Sequence, residues 1–250
     1  MLQLIEDNQY LYRLTAILEA IEQDEMGSIR KAAKPIYKSI KKGGVLHVFA
    51  TGHSHMVADE LFYRAGGLAP VSPLLVNQMM VYEGAMKSTL FEREPGNATA
   101  LIEQFDVRKG DCMLLSSNSG INIAPIEAAI YARTHGLTTI CITSKDASRQ
   151  LVSRHPNGKR LYEVCDIVLD SHTPMGDGLL HIPSSGQPTG SVSSFSALYI
   201  AQRIVLCVEN LFLKDGAMPP IFQSANTPGG DEFNPKIIEQ YKGRIPALQK

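Results

Sequence analysis

The densest group of candidate ligand-binding side chains in this chain follows a short apolar run, CMLL, that begins at residue 112. Five residues with hydroxyl or amide side chains and one glycine come next: Ser116, Ser117, Asn118, Ser119, Gly120 and Asn122. Hydroxyl and amide groups donate hydrogen bonds, and glycine lets a backbone approach a ligand closely. A helical pattern begins just after them, and free N–H groups at a helix start attract anions. The pattern predicts a phosphate-binding turn; the alternative is an ordinary N-cap, which needs only one donor.

A second polar turn, GHSH, begins at Gly52 after another apolar run. The helical segment that follows contains Glu60. A histidine transfers protons near neutral pH, and a carboxylate can take a proton from a carbon beside a carbonyl. We therefore expect His55 and Glu60 to act in catalysis. Gly52, His53 and Ser54 are expected to contact the ligand; the alternative for both histidines is a role as loop hydrogen-bond donors only.

Arg64 lies four residues after Glu60, which is the spacing of an ordinary helix ion pair worth about 0.2–0.5 kcal/mol. The same arginine could instead tune the carboxylate or hold an anionic ligand. Both interpretations stay open, and Arg64 is kept as a candidate substrate contact. Gln202, in a later apolar helix, is interpreted as a buried polar residue that is satisfied within the core.

The composition favours a protein without metal, nucleic-acid or membrane partners. The chain has 250 residues with a net charge of −1, and the N-terminal segment is too polar for a signal peptide. Its apolar runs are shorter than a membrane span. The four cysteines are far apart without C-x-x-C spacing, and His53 and His55 lack a nearby third ligand for zinc. We therefore expect a cytoplasmic protein that uses no cofactor.

Strand-like and helix-like segments alternate along the chain, which predicts βαβ units and a parallel sheet with helices on both faces. The predicted strands are 45–51, 73–77, the apolar run that begins at residue 112 and ends at the serines, 136–144 and 165–171. The main predicted helices are 3–25, 28–42, 56–65, 97–105 and 192–213. Ligands of such sheets bind beyond the carboxyl ends of the strands. Because both polar turns follow strands, we expect them to form one site.

Two segments flank the predicted α/β domain, which covers residues 43–213. Residues 1–42 are expected to form helices that pack on the domain or on a dimer partner. Residues 214–250 contain several prolines and are expected to be irregular with a short helix. Within the domain, residues 174–191 are predicted to be a long loop, and Asn157-Gly158 a hairpin turn.

The two polar turns resemble motifs of the sugar isomerase (SIS) domain family of phosphosugar-binding proteins. GHS before a helix resembles the family's first-strand loop, and SSNSGINIAPI resembles its S-x-S-G-x-[ST] phosphate loop. The resemblance covers roughly residues 35–213 and is greatest with members grouped with phosphoheptose isomerases. It implies a dimeric three-layer αβα sandwich around a five-stranded parallel sheet, similar to flavodoxin. It also implies a phosphosugar site near the subunit interface.

Carried over by position, the resemblance assigns phosphate contacts in both turns. The implied contacts are Ser117, Asn118, Ser119 and Asn122, with Ser54 from the first turn. Asn122 stands where the family usually has threonine or serine, and an amide can still donate a hydrogen bond.

The position of the family's catalytic acid differs in this chain. In isomerases and related etherases a glutamate lies ten positions after the loop serine, and here that position is Arg64. Asp59 and Glu60 are the nearest carboxylates, about one helical turn earlier. Having Arg64 in place of this glutamate bears on which reaction the protein catalyses more than on which class of ligand it binds.

These observations predict a phosphosugar-binding protein, with isomerisation of an aldose phosphate to a ketose phosphate as the leading reaction. Glu60 would remove the proton beside the carbonyl to give an enediol, while the serine turn anchors the phosphate. The same proton abstraction would serve an etherase or lyase acting on an amino-sugar phosphate. A non-catalytic phosphosugar sensor is the third interpretation, and Arg64 favours it.

Overall fold

One sheet of five parallel strands forms the centre of the molecule. The computed structural model describes residues 3–249. The strands of this sheet are Leu46–Ala50 (β1), Val71–Pro73 (β2), Cys112–Ser116 (β3), Thr138–Thr143 (β4) and Ile167–Asp170 (β5). Their order across the sheet is β2–β1–β3–β4–β5, so the winding direction reverses between β1 and β3. The predicted parallel sheet is therefore confirmed.

Helices cover both faces of the sheet, as the three-layer prediction requires. One layer contains Gln9–Asp24 (α1), Met26–Lys41 (α2), Met56–Leu61 (α3) and Ser193–Lys214 (α9). The other contains Ala85–Arg93 (α4), Asn97–Ile102 (α5), Ile123–Thr134 (α6) and Leu161–Val164 (α8). Two further helices are Lys145–Arg149 (α7) and Gly230–Tyr241 (α10), and short 3-10 helices span Gly52–His55, Asn77–Met79, Val81–Glu83 and Pro246–Leu248.

The strands β1, β3, β4 and β5 each contribute side chains to two separate hydrophobic cores. Val48 of β1 and Leu114 of β3 lie in the core beneath α2 and α9. Phe49 and Leu115, the next residues of the same strands, lie in the core beneath α5 and α6. Successive side chains of a strand point to opposite faces, so a strand covered on both faces is apolar throughout. This explains why VLHVFA and CMLL show no alternation with polar residues.

The pairing of β1 with β3 determines where the two polar turns begin. The pairing runs from Leu46 opposite Cys112 to Ala50 opposite Ser116. Thr51 and Ser117, the residues that follow, therefore leave the sheet side by side. Thr51 and Ser117 are 66 residues apart in the sequence, but the turns they begin are neighbours at the reversal point of the sheet.

The first helix after a strand is shorter than the predicted 56–65. α3 ends at Leu61, after which Phe62 is extended and Tyr63 has a left-handed backbone with φ 48°. The Tyr63 ring packs edge-on against Phe222, with ring centroids 5.0 Å apart, and the Gly66 N–H donates to the Phe222 carbonyl. Pairing with the C-terminal segment replaces the last helical turn, so tertiary contacts override local helix propensity here.

Three further predictions are wrong in detail. The strand expected at 73–77 is β2, which begins two residues earlier, at Val71, and ends at Pro73. The described residues that flank Asn157-Gly158 form a turn without paired strands. The segment 174–191 is not an irregular loop, since it forms an antiparallel hairpin of Gly178–His181 (β6) and Pro188–Ser191 (β7).

The N-terminal helix packs on this hairpin and on α9. It begins at Gln9 rather than near residue 3. The Tyr10 hydroxyl donates to the Ser191 carbonyl at 2.7 Å, and Arg13 Nη1 donates to the Leu179 carbonyl at 2.8 Å. These contacts explain why the glycine- and proline-rich segment is ordered as a hairpin. The division into segments 1–42, 43–213 and 214–250 remains a prediction.

The helix α9 is long and apolar enough to cross a membrane by length and composition, with a mean hydropathy of 1.4 over its most apolar window. The sequence predicted an apolar helix at 192–213 but no apolar run as long as a membrane span. Ile200, Ile204 and Val208 are buried at helical spacing and belong to the core that α9 shares with α2. In this structure α9 is a core helix of the α/β domain.

The cysteines are expected to differ in their reaction with a thiol reagent. All four are free, but Cys112 and Cys141 are buried, whereas Cys165 and Cys207 are half-buried. Burial raises the pKa of the Cys112 thiol to about 12 and that of Cys141 well above its usual value. Because the thiolate is the reactive form, native protein should be alkylated only at Cys165 and Cys207. Peptide mapping by mass spectrometry would test this, and rapid native labelling of Cys112 would contradict it.

Candidate functional site

A narrow cleft lies at the carboxyl end of the sheet, beside the reversal point. Its polar lining comes from five separate segments: His53, Ser54, Ser116, Asn118, Thr143, Ser171, Ser193 and Ser194. Apolar side chains complete it: Met56, Val57, Ile142, Ala197 and Leu198. This position is where open α/β sheets bind their ligands. A wall of hydroxyl, amide and imidazole groups suits a ligand with many hydrogen-bonding oxygens.

The turn after β3 is held by hydrogen bonds within the turn and from the end of β4. The Asn118 carbonyl accepts from Ser144 N at 2.9 Å and from Thr143 Oγ1 at 3.1 Å. The Gly120 N–H donates to Ser117 Oγ at 3.3 Å. Gly120 has a left-handed φ of 61°, a conformation that glycine adopts without strain. The turn is thus rigid, and the side chain of Ser117 is part of what holds it.

Asn122 lies at the start of α6, but its side chain does not cap the helix. Its Oδ1 accepts a hydrogen bond of 2.6 Å from Nη1 of Arg154. The first N–H groups of α6 therefore lack a side-chain cap, and a cation lies beside them. Both features favour an anion at this point. Arg154 was missed by sequence analysis, although it lies in the basic segment SRHPNGKR.

The first turn contributes two of its predicted residues to the cleft. His53 and Ser54 line it. His55 does not, because its ring lies between Gly52 and Asp59: Nδ1 is 2.6 Å from the Gly52 carbonyl, and Nε2 is 3.3 Å from Asp59 Oδ2. The His55 side chain thus stabilises the 3-10 turn in this structure, and its catalytic role remains a prediction.

The predicted pair of Glu60 and Arg64 forms, with Arg64 Nε 2.9 Å from Glu60 Oε1. Gln202 of α9 also donates to Glu60 Oε1, at 2.8 Å. Gln202 is therefore satisfied inside the structure, as expected, and its partner is the candidate base. Neither Glu60 nor Arg64 is among the residues that line the cleft. The catalytic role of Glu60 and the ligand contact of Arg64 remain predictions.

The start of α9 forms a wall of the cleft that sequence analysis did not identify. Ser193 and Ser194 line it, together with Ser171 from the end of β5. Asp177 orients this wall, since its carboxylate accepts from the Val192 N–H, the Ser193 N–H and the Ser193 hydroxyl. Serines immediately before a long apolar helix, SVSSFS, were the available signal. Within residues 3–249 no group of three metal-ligating side chains is close enough to hold a metal.

Solved structures with this architecture include two phosphoheptose isomerases. The enzyme of Francisella tularensis aligns with a TM-score of 0.53 and 15% identity, covering 82% of this chain and 97% of its own. The enzyme of Neisseria gonorrhoeae aligns with a TM-score of 0.52 and 15% identity, covering 80% and 95%. At this level of identity the similarity establishes the fold.

Sequence comparison is more specific. The SIS domain profile matches residues 9–144. The UPF0309 protein of Geobacillus thermodenitrificans is 39% identical over 246 residues, which are 96% of this chain and 97% of that protein. The UPF0309 protein of Geobacillus kaustophilus is 40% identical over 246 residues, 96% of each chain. With a profile match over more than half of its length and relatives along nearly all of it, this chain belongs to the SIS domain family and to the UPF0309 group.

Proposed function

We propose that this protein binds a sugar phosphate, with the phosphate in the turn between β3 and α6. The observation that supports this most directly is the uncapped start of α6, a 12-residue helix, beside Arg154 and a rigid turn of serine and asparagine. The candidate donors of this turn are Ser117, Asn118, Ser119, Gly120 and Asn122, of which Asn118 lines the cleft. Ser54 and His53 line the cleft beside Asn118 and suit the sugar hydroxyls.

We further propose an aldose–ketose isomerisation through an enediol. Anchoring the phosphate holds the first two carbons of the sugar beside the catalytic groups in a fixed orientation, which lowers the entropic part of the barrier to reaction. The sequence predicts Glu60 as the base, His55 as a group that assists proton transfer, and Arg64 as a contact of the ligand. The etherase or lyase reaction on an amino-sugar phosphate would use the same proton abstraction.

A phosphosugar sensor without catalysis is the second candidate function. One observation favours it: the residues that line the cleft include no carboxylate, and Glu60 lies outside that lining in an ion pair with Arg64. On either proposal we expect a homodimer that acts in the cytoplasm on a small-molecule ligand.

The test separates binding from turnover. Purified protein is incubated with aldose and ketose phosphates of five to seven carbons, the matching unphosphorylated sugars, and inorganic phosphate. A ligand present at a hundred times its Kd should stabilise the native state by about 2.7 kcal/mol, which a thermal shift detects. NMR in D₂O then follows deuterium exchange at C2. Binding with exchange supports the isomerase, binding without exchange supports the sensor, and no shift with any sugar phosphate contradicts both.

Replacing a donor of the proposed phosphate turn should weaken binding without unfolding the protein. Ser119→Ala is expected to reduce affinity for sugar phosphate roughly tenfold to a hundredfold, because a hydrogen bond to a charged group is worth about 1.5–3 kcal/mol. Ser185→Ala, at the exposed tip of the β6–β7 hairpin, is the matched control and should bind normally. Equal affinity of the Ser119 variant and wild type, measured by calorimetry, would place the phosphate elsewhere.

A further inference from the structure

A second carboxylate lies beside the proposed site, on the opposite layer of helices from Glu60. Glu92 is the penultimate residue of α4 and is half-buried. Its Oε2 accepts a hydrogen bond from Thr51 Oγ1 at 3.0 Å. The same oxygen lies 4.0 Å from the point where a Cβ on Gly52 would be placed. Glu92 is therefore in contact with the beginning of the first polar turn.

This contact places Glu92 at the reversal point of the sheet. Thr51 directly follows β1, and Ser117 directly follows β3, while the preceding residues Ala50 and Ser116 are paired. Neighbouring strands are about 4.8 Å apart, so Thr51 lies next to the first residue of the proposed phosphate turn. A carboxylate bonded to Thr51 is thus adjacent to both turns. The crevice between them is where ligands of this class of sheet bind.

Glu92 differs from Glu60 in its electrostatic partners. Within residues 3–249, no lysine, arginine or histidine nitrogen lies within 4.0 Å of the Glu92 carboxylate, whereas Arg64 is 2.9 Å from that of Glu60. The Thr51 hydroxyl occupies one of about four acceptor positions on Glu92. The remaining positions are free to accept a proton or a substrate hydroxyl. Glu60 receives the contacts from Arg64 and Gln202 on a single oxygen, Oε1, so the two carboxylates differ in having a cationic partner rather than in having a free acceptor position.

The helix that presents Glu92 is fixed at both ends. Near its start, the buried Ser88 hydroxyl donates to the Met79 carbonyl at 2.7 Å. Just past its end, the Gly96 N–H donates to the carboxylate of Glu127 on α6, the helix that begins at the phosphate turn. Phe91 packs in the core beneath α5 and α6. Glu92 is therefore held in a defined position relative to that turn, as catalysis requires.

We infer that Glu92 is the catalytic base of the proposed isomerisation, an assignment that rests on the proposed function. Its carboxylate takes the proton from C2 of the open-chain aldose phosphate. The electrons of that C–H bond form the C1–C2 double bond, and the carbonyl electrons move to O1, which takes a proton from water. Glu92 then returns its proton to C1 while the C2 carbonyl forms, and the O2 proton passes back to water, so that no net proton is gained or lost and the ketose results. No oxidant, reductant or second substrate is required.

Three matched variants test the assignment. Glu92→Gln removes the base but keeps the hydrogen bond from Thr51 possible, Glu60→Gln removes the alternative base, and Glu83→Gln changes an exposed glutamate on the preceding 3-10 helix. General-base removal costs about 10²–10⁴ in rate. Glu92→Gln should therefore lose at least a hundredfold in kcat while its thermal shift with sugar phosphate stays near that of wild type. Glu60→Gln should lose less than tenfold, and Glu83→Gln should match wild type.

The pH dependence separates a catalytic role from a structural one. The acid limb of the kcat profile should disappear in Glu92→Gln and persist in Glu92→Asp, which retains a carboxylate. Turnover by Glu92→Gln within tenfold of wild type, or a hundredfold loss in Glu60→Gln instead, would overturn the assignment and leave the isomerase in place. Failure of wild type to exchange C2 deuterium with any sugar phosphate would overturn both the isomerase and its base.

Discussion

Replacing Gly120 by alanine is expected to abolish sugar phosphate binding and to lower the free energy of unfolding by about 2–4 kcal/mol. Two costs contribute. The backbone at Gly120 has φ 61°, a left-handed conformation that an L-residue adopts only with strain. A Cβ would also lie 2.8 Å from Thr143 Oγ1 and 3.2 Å from the buried hydroxyl of Ser148. The turn must shift, and its donors to the phosphate shift with it.

A matched substitution separates strain from contact. Gly158 has a similar φ of 71°, but no atom lies within 4 Å of the position of its Cβ. Gly158→Ala should therefore cost only the backbone strain, about 1–2 kcal/mol, and should leave binding intact. Urea unfolding and calorimetric titration with sugar phosphate would measure both quantities. Equal stability losses in the two variants, with binding retained at Gly120→Ala, would contradict the assigned role of this turn.

Removing the Asp111 carboxylate is expected to destabilise the protein by about 3–5 kcal/mol, the usual cost of breaking a buried charge network. The carboxylate accepts hydrogen bonds of 3.0 Å from Val45 N and Arg108 N, and one of 2.7 Å from Arg244 Nη2. His47, fully buried in β1, lies 3.0 Å from it through Nε2. Asp111→Ala would leave these donors without a partner. Asp146→Ala, at a side chain that is 85% exposed, is the control and should cost below about 1 kcal/mol.

The same carboxylate makes stability depend on pH. Burial raises the pKa of Asp111, but hydrogen bonds from His47 and from two backbone N–H groups outweigh it and leave the pKa below the usual 3.8. A depressed folded-state pKa means that the stabilisation is complete above the unfolded pKa and is lost as pH falls through the folded one. The stability difference between wild type and Asp111→Asn should thus be constant from pH 7 to 5 and shrink below pH 3.8. A difference that grows on acidification would contradict this network.

Much of the fold could be predicted because its signals are local. Fully apolar runs such as CMLL mark strands that are covered on both faces, and glycines and serines mark where those strands end. From these, the parallel sheet and the position of both polar turns followed. The prediction was wrong where a segment distant in sequence makes the contact. Tyr63 packs on Phe222, and the helix predicted at 56–65 ends at Leu61. The β6–β7 hairpin is held by α1, a contact that no local pattern indicates.

The candidate site divides in the same way. Ser117 and Gly120 were identified because a turn of small donors before a helix is a pattern within a few residues. Ser193 was not, since it reaches the cleft only through the packing of α9 across the sheet. Arg154 was also missed, because its bond to Asn122 joins residues from different units.

By itself, the sequence determined the α/β class, the two polar turns and their location after strands, because side-chain periodicity and turn chemistry are encoded over short distances. The tertiary structure alone decided which groups contact each carboxylate. Gln202 reaches Glu60 across 142 residues, and Thr51 reaches Glu92 across 41. Such contacts depend on the order of the strands and on the way the helices pack across them, and neither can be read from the spacing of residues along the chain. For this reason the sequence led to Glu60 as the candidate base, whereas the proposal of Glu92 rests on a contact that only the packing of α4 against β1 creates.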